Sequence, residues 1–326
     1  MKPPLFWFRD QSLWAIALTP LSWVWRAVSL RRWRKGAHLR LSVPVICVGN
    51  INMGGTGKTP TVIALVGQLQ AMGKTPHVVS RGYGGDQQGP TAVDLHRHSA
   101  DDVGDEPLLL AAFAPCWVAR DRAAGAGAAL AAGADVIVLD DGMQNPALAK
   151  DLTIMVVDAQ TGFGNGRVFP AGPLRQTVDD GLARADAVLA IGPASAQNGF
   201  AARWGGQISK PLLTARLAPL QTGMDWKGLR ALAFAGIGRP EKFFDTLAGL
   251  GANIVATHSF GDHEKLPLAV LQRMEKQANA LGAQLVTTEK DAVRLPASFQ
   301  QKVLTLPVRL ELDNPQALQD LLQSVL

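Results

Sequence analysis

The chain of 326 residues is 47% apolar and 18% charged, which excludes a disordered or collagen-like polymer and leaves room for two globular units. Its two cysteines, Cys47 and Cys116, are too few for a disulfide framework or a multi-cysteine zinc site and fit a reducing compartment. The net charge of +5 is concentrated: residues 1–40 hold eight basic residues against the single acid Asp10, so the other 286 residues are net −2, which argues against a nucleic-acid-binding body.

The same N-terminal stretch carries five of the eight tryptophans, Trp7, Trp14, Trp23, Trp25 and Trp33. Fifteen residues between Asp10 and Arg26 lack formal charge, shorter than the roughly 20 apolar residues of a comfortable membrane span. Thr19, Ser22, Arg26 and Ser29 fall at helical spacing as one polar stripe, with Leu18, Leu21, Trp25 and Val28 elsewhere on the wheel. With Arg31, Arg32, Trp33, Arg34 and Lys35 behind it, the segment reads as an amphipathic helix lying on an anionic membrane surface, kinked or broken early at Pro20. A single-span anchor and a core helix with surface tryptophans compete with this reading. A signal peptide fits poorly, because the charge follows the apolar run. As a peripheral anchor, residues 1–34 are expected to be removable at the cost of membrane binding, with nucleotide binding surviving.

Leu41–Val48 has strand character, and Pro60–Met72 has helical periodicity. Between them runs Gly49-Asn-Ile-Asn-Met-Gly-Gly-Thr-Gly-Lys-Thr59, the strand–loop–helix context of a phosphate-binding loop. Gly54, Gly55 and Gly57 let backbone N–H groups turn toward phosphate oxygens at the positive helix end. Lys58 is placed to reach the β- and γ-phosphates of ATP, and Thr59 to ligate Mg²⁺. Asn52 stands where the usual pattern has its first glycine. The whole stretch Asn52, Met53, Gly54, Gly55, Thr56, Gly57, Lys58, Thr59 and Pro60 is expected to line the nucleotide.

Further strands are expected at His77–Ser80, Cys116–Val118, Leu152–Val157 and Ala187–Ile191, with a helix over Arg122–Ala132. The apolar run Val136–Leu139 ends in Asp140 and Asp141, paired carboxylates at the carboxyl end of a buried strand, suited to Mg²⁺. After about residue 205 a second set follows: strand Ala231–Ala235, helix Pro240–Leu250, strand Asn253–His258, helix Pro267–Leu281 and strand Gln284–Thr287. The expected class is therefore α/β. A P-loop NTPase-type, mostly parallel sheet with helices on both faces occupies 36–208, and a smaller α/β domain over 209–326 closes on the cleft. Residues 1–35 form the membrane-associated helix.

The guanine-reading Asn-Lys-x-Asp is missing, since Thr288-Glu-Lys-Asp291 has its lysine elsewhere, so ATP is preferred over GTP. Polar clusters on expected loops supply candidate chemistry: Ser80-Arg-Gly-Tyr-Gly-Gly85, Gly104-Asp-Glu-Pro107, Pro170-Ala-Gly-Pro-Leu-Arg175 and Phe260-Gly-Asp-His263. Each also has a plain structural reading; Asp105 and Glu106 could simply complement a helix dipole, and His263 could be a structural histidine.

Taken in order, GGTGKTP at 54–60, SRGYGG at 80–85, GDEP at 104–107, DDGMQ at 140–144, PAGPLR at 170–175, GIGRPEKFF at 236–244, GDH at 261–263 and TTEKD at 287–291 resemble the tetraacyldisaccharide 4'-kinase family of lipid A biosynthesis. The resemblance spans nearly the whole chain. It implies phosphoryl transfer from ATP to the 4'-hydroxyl of tetraacyldisaccharide 1-phosphate, at the cytoplasmic face of a Gram-negative inner membrane. It also implies Asp105 as general base, His263 as its tuning partner, and Asp140 and Asp141 on Mg²⁺. Glu106 and Gln144 become further polar groups of the site, while Arg175, with Arg122 beside it, neutralises phosphate charge. Gln176 departs from the acid expected after that arginine. A lipid acceptor accounts for the N-terminal helix, and a monomer without nucleic-acid partners is expected. A membrane-tethered P-loop ATPase switch is the alternative from another class; a P-loop ligase with a soluble substrate would leave the N-terminal helix without a purpose.

Overall fold

A computed structural model describes residues 3–326. Thirteen strands lie in two sheets: β1 (Val45–Gly49), β2 (Pro76–Ser80), β3 (Thr91–Ala92), β4 (Cys116–Val118), β5 (Val136–Asp140), β6 (Leu152–Asp158), β7 (Ala187–Ile191) and β8 (Leu212–Pro219), then β9 (Arg230–Ala235), β10 (Asn253–Ser259), β11 (Gln284–Thr288), β12 (Val303–Leu306) and β13 (Val308–Leu312). The larger sheet has the order β13-β8-β7-β6-β1-β5-β2-β4-β3 and the smaller β10-β9-β11-β12. Among the described residues only the edge pairs β13/β8 and β3/β4 are antiparallel, so the large sheet is mixed with a parallel interior. The smaller sheet is parallel throughout.

The valine- and isoleucine-rich strands β1, β2, β5, β6 and β7 are buried at every position, as expected for parallel strands covered on both faces. Alternation along β1 sends Ile46 and Val48 to one face and Val45 and Cys47 to the other. On the first face Leu65 and Leu69 of the P-loop helix (Lys58–Ala71) pack beside Leu318 and Leu322 of the last helix (Pro315–Gln323).

Three expectations change. The first strand begins at Val45, not at Leu41, because Ser42-Val43-Pro44 precede the ladder without strand geometry. The boundary at residue 208 does not separate the sheets. Strand β8 adds in parallel to β7, and after the smaller sheet the chain returns to pair β13 with β8, so the smaller sheet is an insertion over 230–306. Sheet membership here depends on partners about a hundred residues apart, which local periodicity does not encode.

The third change concerns the N-terminal helix. It runs unbroken over Leu13–Arg34 through Pro20, long and apolar enough to pass for a membrane span. Its polar stripe faces the protein instead of an aqueous phase. The Ser22 hydroxyl donates to the Val168 carbonyl at 2.7 Å, Thr19 accepts from Arg167 at 2.9 Å, and Arg26 pairs with Asp180 at 2.9 Å. Leu13, Trp14, Ile16, Leu21, Trp23, Val24 and Val28 point outward and are exposed. Contacts on both sides of Pro20 hold the helix in line despite the missing N–H.

Candidate active site

The carboxyl ends of β1, β2, β5 and β6 converge on one edge of the large sheet, with β5 and β6 departing to opposite sides of β1. Open α/β sheets bind ligands at such a reversal. From β1 the chain enters the loop 50–57 and then the P-loop helix. Gly57 has φ +97°, a conformation that favours glycine, and a Cβ there would lie 2.7 Å from the tip of the Ile191 side chain. Gly54 is at φ +128° with open space around it. Asn50 folds the loop from beneath, donating to the Gly54 carbonyl at 3.2 Å and to the Thr56 hydroxyl at 3.0 Å.

Asp140 ends β5 and is buried. One carboxylate oxygen accepts from Ser80 at 3.0 Å; the other has no hydrogen-bond partner. Burial, together with the nearby Glu106 and Asp141 charges, pushes its carboxyl up to about 7. Asp141 follows in the left-handed region at φ +49°, a strained position for a non-glycine residue, with its side chain between Lys58 and Arg175. Burial opposes its ionisation, but Lys58 and Arg175 outweigh that and hold the carboxyl below its usual value. Arg175 Nη1 lies 3.0 Å from both Asp141 oxygens, and Lys58 Nζ 3.7 Å from one.

The second cluster is assembled across the two sheets. Asp105 opens the helix Asp105–Ala111 after Gly104 at φ +90° and is buried. A Cβ on Gly104 would meet the Tyr83 carbonyl at 2.6 Å, which ties SRGYGG to GDEP. His263, itself at φ +59°, donates from Nδ1 to Asp105 at 2.9 Å, and Tyr83 packs edge-on against its ring at 5.5 Å. Lys290 Nζ reaches His263 Nε2 at 3.2 Å, Glu106 at 3.3 Å and Asp262 at 3.4 Å. Arg294 Nε stands 3.9 Å from Asp105. Burial alone would raise the Asp105 carboxyl; His263, Lys290 and Arg294 overcome it and lower it. The hydrogen bond to Asp105 raises His263, against burial and Lys290. The glycine-rich turn after β9 completes the enclosure: a Cβ on Gly238 would come within 3.8 Å of the Gly55 nitrogen, and Arg239 and Lys242 pair with Asp158 at the end of β6 at 3.0 and 2.8 Å.

Lys58, Asp141, Arg175 and Gln144 thus stand together, as do Asp105, Glu106 and His263, with Asp140 close enough to Glu106 to feel its charge. Other expected residues turn inward. Arg122 is buried and spends Nη2 on the Asp140 carbonyl at 3.0 Å, so it buttresses the strand end. Asn52 is buried, donating to the Gly162 carbonyl at 2.9 Å, and Met53 N–H donates to the Pro173 carbonyl, so both brace the loop. Gln144 uses both amide ends within the protein, accepting from Arg175 at 3.1 Å and donating to the Asn50 carbonyl at 2.7 Å. Lys290, Arg294 and Ser80 are site residues the sequence reading gave no role. TTEKD and SRGYGG drew attention to two of them, but their partners lie far away in sequence.

A family model described as Tetraacyldisaccharide-1-P 4'-kinase matches residues 14–326. The chain belongs to the tetraacyldisaccharide 4'-kinase family. It is 61% identical over 322 residues to a tetraacyldisaccharide 4'-kinase of Dinoroseobacter shibae, covering 98% of this chain and 96% of that one. A tetraacyldisaccharide 4'-kinase of Jannaschia sp. is 56% identical, covering 96% of each. The crystal structure of LpxK from Aquifex aeolicus in complex with ATP superposes with a TM-score of 0.74 at 25% identity, covering 95% of this chain and 99% of that chain. As a tetraacyldisaccharide 4'-kinase, the chain is an ATP-dependent phosphotransferase of lipid A biosynthesis.

The raised His263 and lowered Asp105 predict a pH dependence for this kinase. The Asp105 carboxylate and His263 imidazolium attract fully below the ordinary histidine value of 6.5, and that stabilisation fades as pH rises through the elevated His263 value. Loss of the imidazole proton also makes Asp105 a better proton acceptor. kcat/KM is therefore expected to rise with pH through an inflection above 6.5, and His263→Asn to abolish that inflection. A profile for His263→Asn superimposable on wild type would remove His263 from the proton path.

Proposed function

We propose that the protein transfers the γ-phosphate of ATP to the 4'-hydroxyl of tetraacyldisaccharide 1-phosphate, with Asp105 accepting the hydroxyl proton and His263 tuning it. The observation that carries this reading is the hydrogen bond between buried Asp105 and half-buried His263, 2.9 Å long, at the same sheet edge as the phosphate-binding loop. Lys58 and Arg175 supply positive charge where phosphoryl oxygens would lie. Lys290 and Arg294 keep Asp105 ionised, and Lys290 can donate to His263 Nε2 when the ring is neutral.

The residues present fit Mg²⁺. The Asp140 oxygen without a partner is buried, and a buried carboxylate needs a proton or a cation. Among the described residues no group of three or more histidine, cysteine or acidic side chains forms a metal cage. Mg²⁺ commonly binds through one or two carboxylates, water and substrate phosphates. Asp140 and Thr59 would hold the ion, with Asp141 beside them, and the ion would offset charge on the phosphates.

The outward apolar face and the basic cluster at 31–35 support attachment to the cytoplasmic leaflet of the inner membrane. Thr19, Ser22, Trp25 and Arg26 contact the body over two helical turns. A helix crossing the bilayer would drag those body residues into hydrocarbon, so the favoured orientation is in the membrane plane, with the larger unit (36–219 and 308–326) and the insertion enclosing the cleft. The expected form is a monomer.

The decisive test supplies purified protein with radiolabelled ATP, Mg²⁺ and tetraacyldisaccharide 1-phosphate in detergent micelles. Label is expected in the lipid. Label released only as free phosphate, with or without lipid, would replace the kinase reading with a nucleotide-driven switch.

A further inference from the structure

The inner side of the N-terminal helix is fastened to the loop that carries Arg175. Thr19 holds Arg167, and Ser22 accepts from the Ala171 N–H at 3.2 Å while donating to the Val168 carbonyl. Trp7 donates to the Pro170 carbonyl at 3.1 Å. Trp25 packs edge-on against Phe169, ring centres 5.0 Å apart, and its indole N–H donates to the Arg175 carbonyl at 3.0 Å. On the far side, the Arg175 N–H donates to the Ile51 carbonyl at 2.7 Å, and its guanidinium meets Asp141 and Gln144. The backbone of Arg175 is thus gripped by the phosphate-binding loop through its N–H and by the N-terminal helix through its carbonyl. Trp25 is 39% exposed, between Leu21, Val24 and Val28 on the outward face, so one side chain joins the apolar surface to the arginine.

We propose that Trp25 is a positioning residue for Arg175, so that the N-terminal helix is built into the reaction centre and is not a separable anchor. The inference rests on the reading of Arg175 as a phosphate-facing group. A displacement of about 1 Å at a reacting centre can cost on the order of 10²-fold in rate, and the Arg175 peptide loses its outer restraint when the indole donor is removed. Deleting residues 1–34 accordingly costs turnover as well as membrane binding, in contrast to the behaviour of a simple anchor.

The test uses the full chain with Trp25→Phe, which keeps an aromatic ring against Phe169 and removes the N–H. Initial rates are measured at saturating ATP and tetraacyldisaccharide 1-phosphate in micelles, alongside sedimentation with phosphatidylglycerol-containing vesicles. The expected result is a fall in kcat of about 5- to 30-fold, with lipid KM and the vesicle-bound fraction within about twofold of wild type. An unchanged kcat overturns the inference, and if KM then rises as vesicle binding drops, Trp25 is an anchor only. Ser22→Ala loosens the same loop from the same helix and gives a second reading of kcat should Trp25→Phe not fold. Wild-type protein that labels no lipid would sink the kinase reading itself, a failure distinguishable from the loss of this inference alone.

Discussion

Asp105→Asn is expected to lower turnover by about 10²- to 10⁴-fold while ATP affinity stays within about threefold, because general acid–base catalysis contributes on that scale. The side chain is isosteric, so the helix start and the Gly104 turn remain, and only the negative charge is lost. That charge faces His263, Lys290 and Arg294. Its removal also takes away the main cause that raises His263, so no inflection above 6.5 should remain in what is left of the rate. Asp105 is ionised well below neutrality, and its contribution to stability is present above the unfolded carboxyl value and lost as pH falls through the lowered one. Thermal melts of the variant at acid pH should therefore approach those of wild type. Near-normal turnover in single-turnover experiments would take Asp105 out of the chemistry.

Lys58→Ala should weaken ATP use and reduce kcat together, by about 10²- to 10³-fold in kcat, the scale seen when one preorganised donor to a developing charge is removed. Asp141 keeps its other partner in this variant, because Arg175 stays at 3.0 Å. Nucleotide affinity by calorimetry and steady-state kinetics would check this. Unaltered values for both would mean that the loop 50–57 is a turn without a nucleotide.

What the sequence revealed follows the range over which its signals act. The strand–loop–helix at 45–71 and the acid-ended strand β5 are written in neighbouring residues, and they form where the apolar run, the glycines and the helical period place them. The fate of β8 and β13 was not legible, because each is an ordinary apolar segment whose sheet is decided by its partner. Periodicity found the stripe Thr19–Ser22–Arg26 but not its direction. A helix that docks by its polar side and exposes its apolar side has the same wheel as one that does the reverse. The burial of Arg122 against the Asp140 carbonyl was not legible either, because it depends on a strand end 18 residues away. The Asp105–His263 pair joins residues 158 apart, and only the joint order of motifs pointed to it.

The return of the chain to its first sheet has a consequence for synthesis. The P-loop helix begins at Lys58, but Leu318 and Leu322, which share its apolar cluster, leave the ribosome long after it. Until they arrive, β8 is an open edge and one side of the P-loop helix lacks its cover, a state that invites association with other chains. Completing the sheet also closes a loop of about ninety residues, a non-local step that slows folding. Substitutions in 308–322 therefore act on the P-loop helix, although the two segments stand far apart in the sequence.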